Sequence, residues 1–365
     1  MANRNNMGLT TRVTQLLKIA HPVIQAPMAG GITTPSLVAA VSNAGGLGSL
    51  GAGYMDPESI RNAISEIRSL TRMPFAVNLF IPESYTEAPR SVQQINELME
   101  SYRAELRINT PTEVGPYAQP FADQLAVVIE QQVPVFSFTF GLLDESNISA
   151  MQAAGITTIG TATTVQEALA LESAGIDIVT GQGTEAGGHR GTFLADFDDA
   201  QIGTLALVPQ LADALRVPVI AAGGIADGRG LAAALSLGAG AVQMGTAFVA
   251  CHESGAAPEY KKAVLEAGRE NTKITRVFSG KPARAIENRF LHEMEERAEE
   301  IPPYPIQNAW TKDIRAEAKE QSRPEFMSLW AGQAAGLSQA IPAAELVENV
   351  VEEARQCHQP RGSGN

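Results

Sequence analysis

Short apolar runs alternate with helix-length amphipathic segments along most of the chain. The runs at 23–28, 47–51, 75–80, 133–140, 157–161, 176–180, 217–222 and 240–245 have the length and β-branched content of buried strands. Between them, segments starting at Thr34-Pro35 and spanning 56–70, 144–154, 164–174, 204–215 and 227–237 carry the spacing of helices. Thr34 and Asp56 each precede a proline, the arrangement of a capping side chain followed by a residue suited to the first turn. Gly45, Gly155, Gly175 and Gly238 stand where a left-handed C-cap is expected. Strands that are apolar throughout and separated by helices predict a parallel sheet covered on its faces. Eight such units over about 250 residues predict an α/β fold of the TIM (β/α)₈ barrel type. A doubly wound open sheet is the alternative.

Two stretches break the alternation. Residues 82–120 are too long for a simple connection and too charged for core, and 90–106 reads as a helix inserted after the third strand. Beyond Cys251 the pattern changes to a short strand at 275–279, an acidic helix at 287–300, a proline break at Pro302, Pro303 and Pro305, and helical stretches at 311–320, 324–331 and 343–355. This predicts a barrel over 1–250 with a helical insertion, a mostly helical lobe over 251–358 covering the barrel mouth, and a disordered tail at 359–365.

Composition narrows the partners. A formal net charge of −13 argues against nucleic acid, whose binders present a basic face. No apolar run approaches the roughly 20 residues that span a bilayer, and nothing at the N-terminus has the layout of a signal peptide, so a soluble cytoplasmic protein is expected. Two cysteines, Cys251 and Cys357, make neither a disulfide framework nor a metal cluster, and no metal site is expected.

Chemistry gathers at the predicted strand ends. The stretch 182–193 (QGTEAGGHRGTF) follows the sixth strand and delivers His189 on a glycine-rich loop at the face where α/β barrels place catalysis. Gln25 and Met28 close the first strand, Asn78 the third, Gln182 the sixth and Gln243 the eighth. Amides at successive strand ends suit one flat polar heterocycle, since buried amides must find partners. Gly223 and Gly224 end the seventh strand, and Gln243-Met244-Gly245-Thr246 the eighth. Barrels commonly bind phosphate between these two loops, through free backbone N–H groups and a helix N-terminus. The run 46–51 (GLGSLG) matches the dinucleotide fingerprint in letters only, because it contains a strand instead of linking a strand to a helix.

These motifs carry a resemblance. The runs 25–31 (QAPMAGG), 45–54 (GGLGSLGAGY), 74–80 (PFAVNLF), 182–193 and 243–246 (QMGT), in that order, resemble the nitronate monooxygenase family, formerly called 2-nitropropane dioxygenases, and its class I bacterial-type members in particular. The resemblance covers roughly 21–250 and is weak in the lobe beyond the Tyr304-Pro305 pair. It implies a TIM barrel holding FMN non-covalently, with Asn78, Gln182, Gly187, Gly224 and 243–246 as flavin contacts and His189 as the catalytic histidine. It also implies oxidation of alkyl nitronates, propionate 3-nitronate in type, with O₂ to a carbonyl compound and nitrite. His189 would orient the anion, or act as base toward a neutral nitroalkane; for a substrate already ionised, orientation is the expected role. An FMN-dependent reductase that passes hydride from NAD(P)H to an enoyl thioester or a quinone would share barrel, cofactor and histidine. The third reading is a flavin or phosphate binder without catalysis.

Overall fold

The computed structural model describes residues 9–83, 92–109, 117–268 and 271–357. The expected disordered tail and parts of the insertion at 82–120 lie outside the described residues. The strands in chain order are β1 (Val23–Gln25), β2 (Gly48–Gly51), β3 (Phe75–Phe80), β4 (Val135–Thr139), β5 (Thr157–Ala162), β6 (Ile178–Gln182), β7 (Gly188–His189), β8 (Val219–Ala222), β9 (Ala241–Met244), β10 (Thr272–Thr275) and β11 (Ala283–Ile286). Eight of them pair in parallel in the order β1-β9-β8-β6-β5-β4-β3-β2. The ends meet: Leu47 N–H donates to the Val23 carbonyl at 3.0 Å and Gln25 N–H to the Leu47 carbonyl at 2.9 Å. The sheet is therefore a barrel, as the alternation predicts.

Side chains alternate between the barrel's inside and the surrounding helices. One parity (Ile24, Leu47, Ala76, Val135, Ile159, Ile178, Ile220, Ala241) packs with Val13 and Leu17 of the N-terminal helix Arg12–Leu17, which seals the lower end. The opposite parity, such as Phe75, Val77, Phe136, Phe138 and Val179, packs against the helices outside. Burying each large apolar side chain contributes about 1.5–3 kcal/mol, so these two shells hold the barrel together. Two residues further along five of these columns the chemistry turns polar, to Asn78, Ser137, Thr161, Thr180 and Gln243. The predicted caps are present. Leu37 N–H donates to Thr34 Oγ1 at 3.0 Å and Ser59 N–H to Asp56 Oδ1 at 2.9 Å.

The region after the eighth barrel strand differs from its expected form. It is not uniformly helical: β10, β11 and β7 make a three-stranded antiparallel sheet. The strand expected at 275–279 comes earlier, at β10, and the chain then turns. The helix expected at 287–300 is Arg289–Glu295, capped by Asn288, with one separate 3₁₀ turn at Ala298–Glu300. Of 324–331 only Pro324–Phe326 winds, as a 3₁₀ turn. The rest is extended, because Ile286 N–H donates to the Leu329 carbonyl at 2.8 Å and Trp330 bridges Ala285. The last helix, Ala343–Cys357, packs against Pro35–Asn43 and Gly228–Ser236, in the position of the barrel's eighth outer helix. The inserted helix Val92–Glu105 contributes Leu98, Met99 and Tyr102 to a core shared with Phe278, Phe290 and Phe326.

Candidate active site

The C-terminal strand ends open into a cavity of about 1310 Å³ when the solvent space at its mouth is included. Its floor is formed by the polar layer of the barrel, including Asn78, Ser137, Thr161, Thr180 and Gln182. One side is made by the glycine loops after β8 and β9, and the other by His189, Phe140, Tyr54 and Trp330.

His189 is built into a strand. Its backbone pairs with Ala283 of β11, Gly188 pairs with Arg284, and Arg190 N–H donates to the Pro282 carbonyl at 2.9 Å. Its Nε2 lies 2.8 Å from Ser279 Oγ, and that hydroxyl reaches the Lys281 carbonyl at 3.2 Å. Both bonds are satisfied when Ser279 donates to Lys281 and the imidazole donates from Nε2, which leaves Nδ1 as an acceptor. Burial, then the charges of Lys281 and Arg315, push the imidazole pKa down to about 3, so His189 is neutral. Lys281 is held by Glu83 at 2.5 Å, with its Nζ 4.5 Å from the Phe140 ring centre. Burial also raises the Tyr54 hydroxyl pKa; Tyr54 lines the cavity and is hydrogen-bonded to Tyr304.

Charges buried behind the loop shape it. Arg190, 1 % exposed, donates to the carbonyls of Gln182 (2.9 Å), Gly183 (2.7 Å) and Ala200 (2.9 Å) and to Gln182 Oε1 (3.1 Å). It belongs to the loop's frame: its one unpartnered donor, Nε–H, is buried, and Arg190 is not among the residues that line the cavity. Glu185 accepts from Thr204 N–H at 2.9 Å and from the Thr204 hydroxyl at 2.9 Å. Gln182 Oε1 takes Gly191 N–H at 2.8 Å, and its Nε2 donates to the His189 carbonyl at 3.1 Å.

The opposite wall carries donors with nowhere to go. Gly223 and Gly224 hold φ of +111° and +68°, and their N–H groups, like that of Gly245, take no partner among the described residues. Thr180 Oγ1 is buried without a partner at the cavity floor. Thr246 Oγ1 accepts Gly332 N–H at 2.9 Å, which leaves its own proton for a ligand. A helix N-terminus plays no part after β8. Gly228 N–H is taken by Glu353 at 2.9 Å, and Arg229 and Gly230 N–H by Asp227 at 3.0 and 3.2 Å. After β9 only the single turn Thr246–Val249 follows. The cradle is therefore made of loop amides and a hydroxyl, and its orphaned donors fit a phosphate and the polar edge of a heterocycle.

Comparison with known proteins agrees with this geometry. A model of the nitronate monooxygenase family matches residues 10–353. The chain belongs to that family. A probable nitronate monooxygenase of Staphylococcus saprophyticus is 48 % identical over 352 residues, covering 96 % of this chain and 99 % of its own. One from Staphylococcus aureus (strain Newman) is 44 % identical, covering 95 % and 98 %. Among solved structures, a nitroalkane oxidase from Streptomyces ansochromogenes superposes with TM-score 0.86 at 40 % identity, covering 94 % and 98 %. FabK from Thermotoga maritima superposes with TM-score 0.76 at 35 % identity, covering 96 % and 97 %. This nitronate monooxygenase family member is thus an oxidoreductase, a flavoprotein by family, acting on nitro compounds. Among the described residues no helix is long and apolar enough to cross a membrane.

The cavity gathers His189, Met28, Asn78, Gln182, Gly187, Gly223, Gly224, Gln243, Gly245 and Thr246, all named from sequence. Gln25 and Met244 are not there. They are register partners on β1 and β9 and share the outward parity. Gln25 is fully buried and bonded to Ser49, accepting its N–H at 2.9 Å and donating to its carbonyl at 3.2 Å. Met244 packs against the outer helices. Ser279, Trp330, Tyr54 and Thr180 escaped the sequence reading. Thr180 sits two residues before Gln182 on β6, so strand alternation could have found it. Ser279 and Trp330 arrive from the lobe, and nothing in the local sequence points to them.

Proposed function

We propose that this enzyme binds FMN without a covalent link and oxidises alkyl nitronates, propionate 3-nitronate in type, with O₂ to a carbonyl compound and nitrite. The observation that carries the reading is the pairing, across one cavity, of a neutral histidine with a wall of unpartnered donors suited to a flavin mononucleotide. When bound, the flavin supplies what no side chain does, acceptance of electrons from a carbanion and reaction with O₂. Gly223, Gly224, Gly245 and Thr246 would hold the phosphate, and Thr180, Asn78, Gln182 and Gln243 the heterocycle.

The protein's own part centres on His189. With Nε2–H committed to Ser279, Nδ1 is free to accept a proton from the α-carbon of a neutral nitroalkane. A nitronate arrives already ionised and needs no such transfer. Sequence reasoning favours anion orientation; the Ser279 pairing leaves Nδ1 as the acceptor that proton transfer needs, while burial and the nearby cations weaken the imidazole as a base. His189→Asn should then lower kcat/KM for a nitroalkane by about 10²- to 10⁴-fold and affect the matching nitronate far less. An equal loss with both substrates would return His189 to the orienting role.

Purified protein should be yellow, and chromatography of the heat-released cofactor should show FMN. Release of FAD, or a colourless protein that cannot be reconstituted, would overturn the reading. The likeness to FabK keeps an NAD(P)H-dependent reductase as the second reading, and rapid bleaching on anaerobic mixing with NADH would establish it.

A further inference from the structure

Three aromatic rings surround the His189 imidazole: Trp330 with its centre 5.1 Å away, Phe140 at 6.0 Å and Tyr304 at 6.2 Å. Trp330 and Phe140 also line the cavity. Beside His189, therefore, a substrate meets hydrocarbon faces, and those faces receive whatever alkyl group the reacting carbon bears.

Trp330 cannot easily give way. Its carbonyl accepts from the Tyr260 hydroxyl at 2.5 Å, and its ring stands edge-on to Phe278 at 5.5 Å. The extended segment 329–333 forms a strap around Trp330, and on one side of that residue it is bonded to β11 through the Leu329 carbonyl. On the other, Ala331 N–H donates to the Arg284 carbonyl at 3.2 Å, Gly332 N–H to Thr246 Oγ1 at 2.9 Å and Gln333 N–H to the Glu185 carbonyl at 3.0 Å. The strap also lies hard against the loop that bears His189: a Cβ on Gly187 would fall 2.5 Å from Gly332 N. A ring fixed from both directions is a stop, whereas a loosely tethered one would be a lid.

We infer that Trp330 is a specificity-determining residue that sets the length of alkyl chain accepted on the nitro substrate. The inference rests on the reading of function above. It implies a preference for short, unbranched nitro compounds, with discrimination arising from steric exclusion at the stop instead of from polar recognition.

The test is a chain-length profile of kcat/KM for nitroethane, nitropropane, nitrobutane and nitrohexane, each supplied as its nitronate and measured on the flavin-loaded enzyme for wild type, Trp330→Phe and Trp330→Ala. Wild type should decline with length. Trp330→Ala should raise the nitrohexane-to-nitroethane ratio by about tenfold or more, the scale at which pocket size separates homologues, mainly through KM. Trp330→Phe should fall between. The ratio is the readout because loss of folding or of flavin lowers every substrate alike; if Trp330→Ala does not retain flavin, Trp330→Phe and Trp330→Leu carry the comparison. A ratio unmoved in flavin-replete variants of an active enzyme overturns the assignment of Trp330 alone. A flavin-replete wild type inert toward every nitro compound overturns the functional reading, and this inference with it.

Discussion

At the scale of single residues, burial of His189 ties its protonation to stability. Its neutral form is held by burial and by two nearby cations, which bring its pKa from the ordinary 6.5 down to about 3 in the folded protein. Above pH 6.5 neither folded nor unfolded chain carries this proton. As pH falls below that, the unfolded chain binds it and the folded one does not, so stability drops progressively toward about pH 3. His189→Asn should flatten that part of the profile, and thermal midpoints measured between pH ~7.5 and ~5 check it; an identical slope in the variant would show that other groups set the acid sensitivity. Arg190 shows how residue type alone misleads. A cation beside a candidate catalytic histidine invites an anion-binding role, yet its two terminal nitrogens are spent on three backbone carbonyls and one amide oxygen, and its unpartnered Nε–H is buried away from the cavity lining. Gln25 and Met244 went astray for a different reason. In a strand, one position decides whether a side chain faces the ligand or the outer helices, and the apolar runs at 23–28 and 240–245 carry no alternation to set that parity.

At the scale of elements, the glycine loops after β8 and β9 differ in what they tolerate. Gly224 lies at φ +68°, where any side chain adds backbone strain of about 1–3 kcal/mol. Gly224→Val would therefore disturb the loop as well as the ligand. Gly245 has an ordinary backbone, and a Cβ there would meet only Ala26 at 3.5 Å and Met28 at 3.9 Å. Gly245→Val is the cleaner probe: it should leave the thermal midpoint of the flavin-free protein nearly unchanged while lowering flavin occupancy at least tenfold, read from the absorbance ratio of flavin to protein. Undiminished occupancy would move the cradle away from this loop. The element that carries His189 is more constrained than its composition suggests. A glycine-rich stretch reads as a loop, but here it forms the edge of a small sheet whose other strands lie more than eighty residues further on.

At the scale of the whole molecule, two distant segments build one lobe. The helix inserted after β3 and the chain beyond the barrel share a core, and Arg103 ties them. Its guanidinium donates to Asp313 at 2.8 Å and to the Trp310 carbonyl at 3.0 Å, largely out of solvent. Arg103→Met should cost about 1–3 kcal/mol, because it removes a charge-assisted bond to Asp313 and leaves the Trp310 carbonyl without this donor; a fall in the denaturant midpoint tests this, and an unchanged midpoint would make the tie incidental. The barrel itself was legible in the chain. Its strands and helices are local and periodic, each burying a face that its own residues mark, and its strand ends therefore announced Asn78, Gln182, Gln243, His189 and the glycine loops. The rest of the site was not legible, for a physical reason. Ser279 bonds the imidazole of His189, Trp330 packs beside that ring and β11 holds the backbone of His189, all through antiparallel pairing and packing across long sequence separations. Such contacts leave no period in the sequence, since their partners are chosen only once the lobe has closed over the barrel.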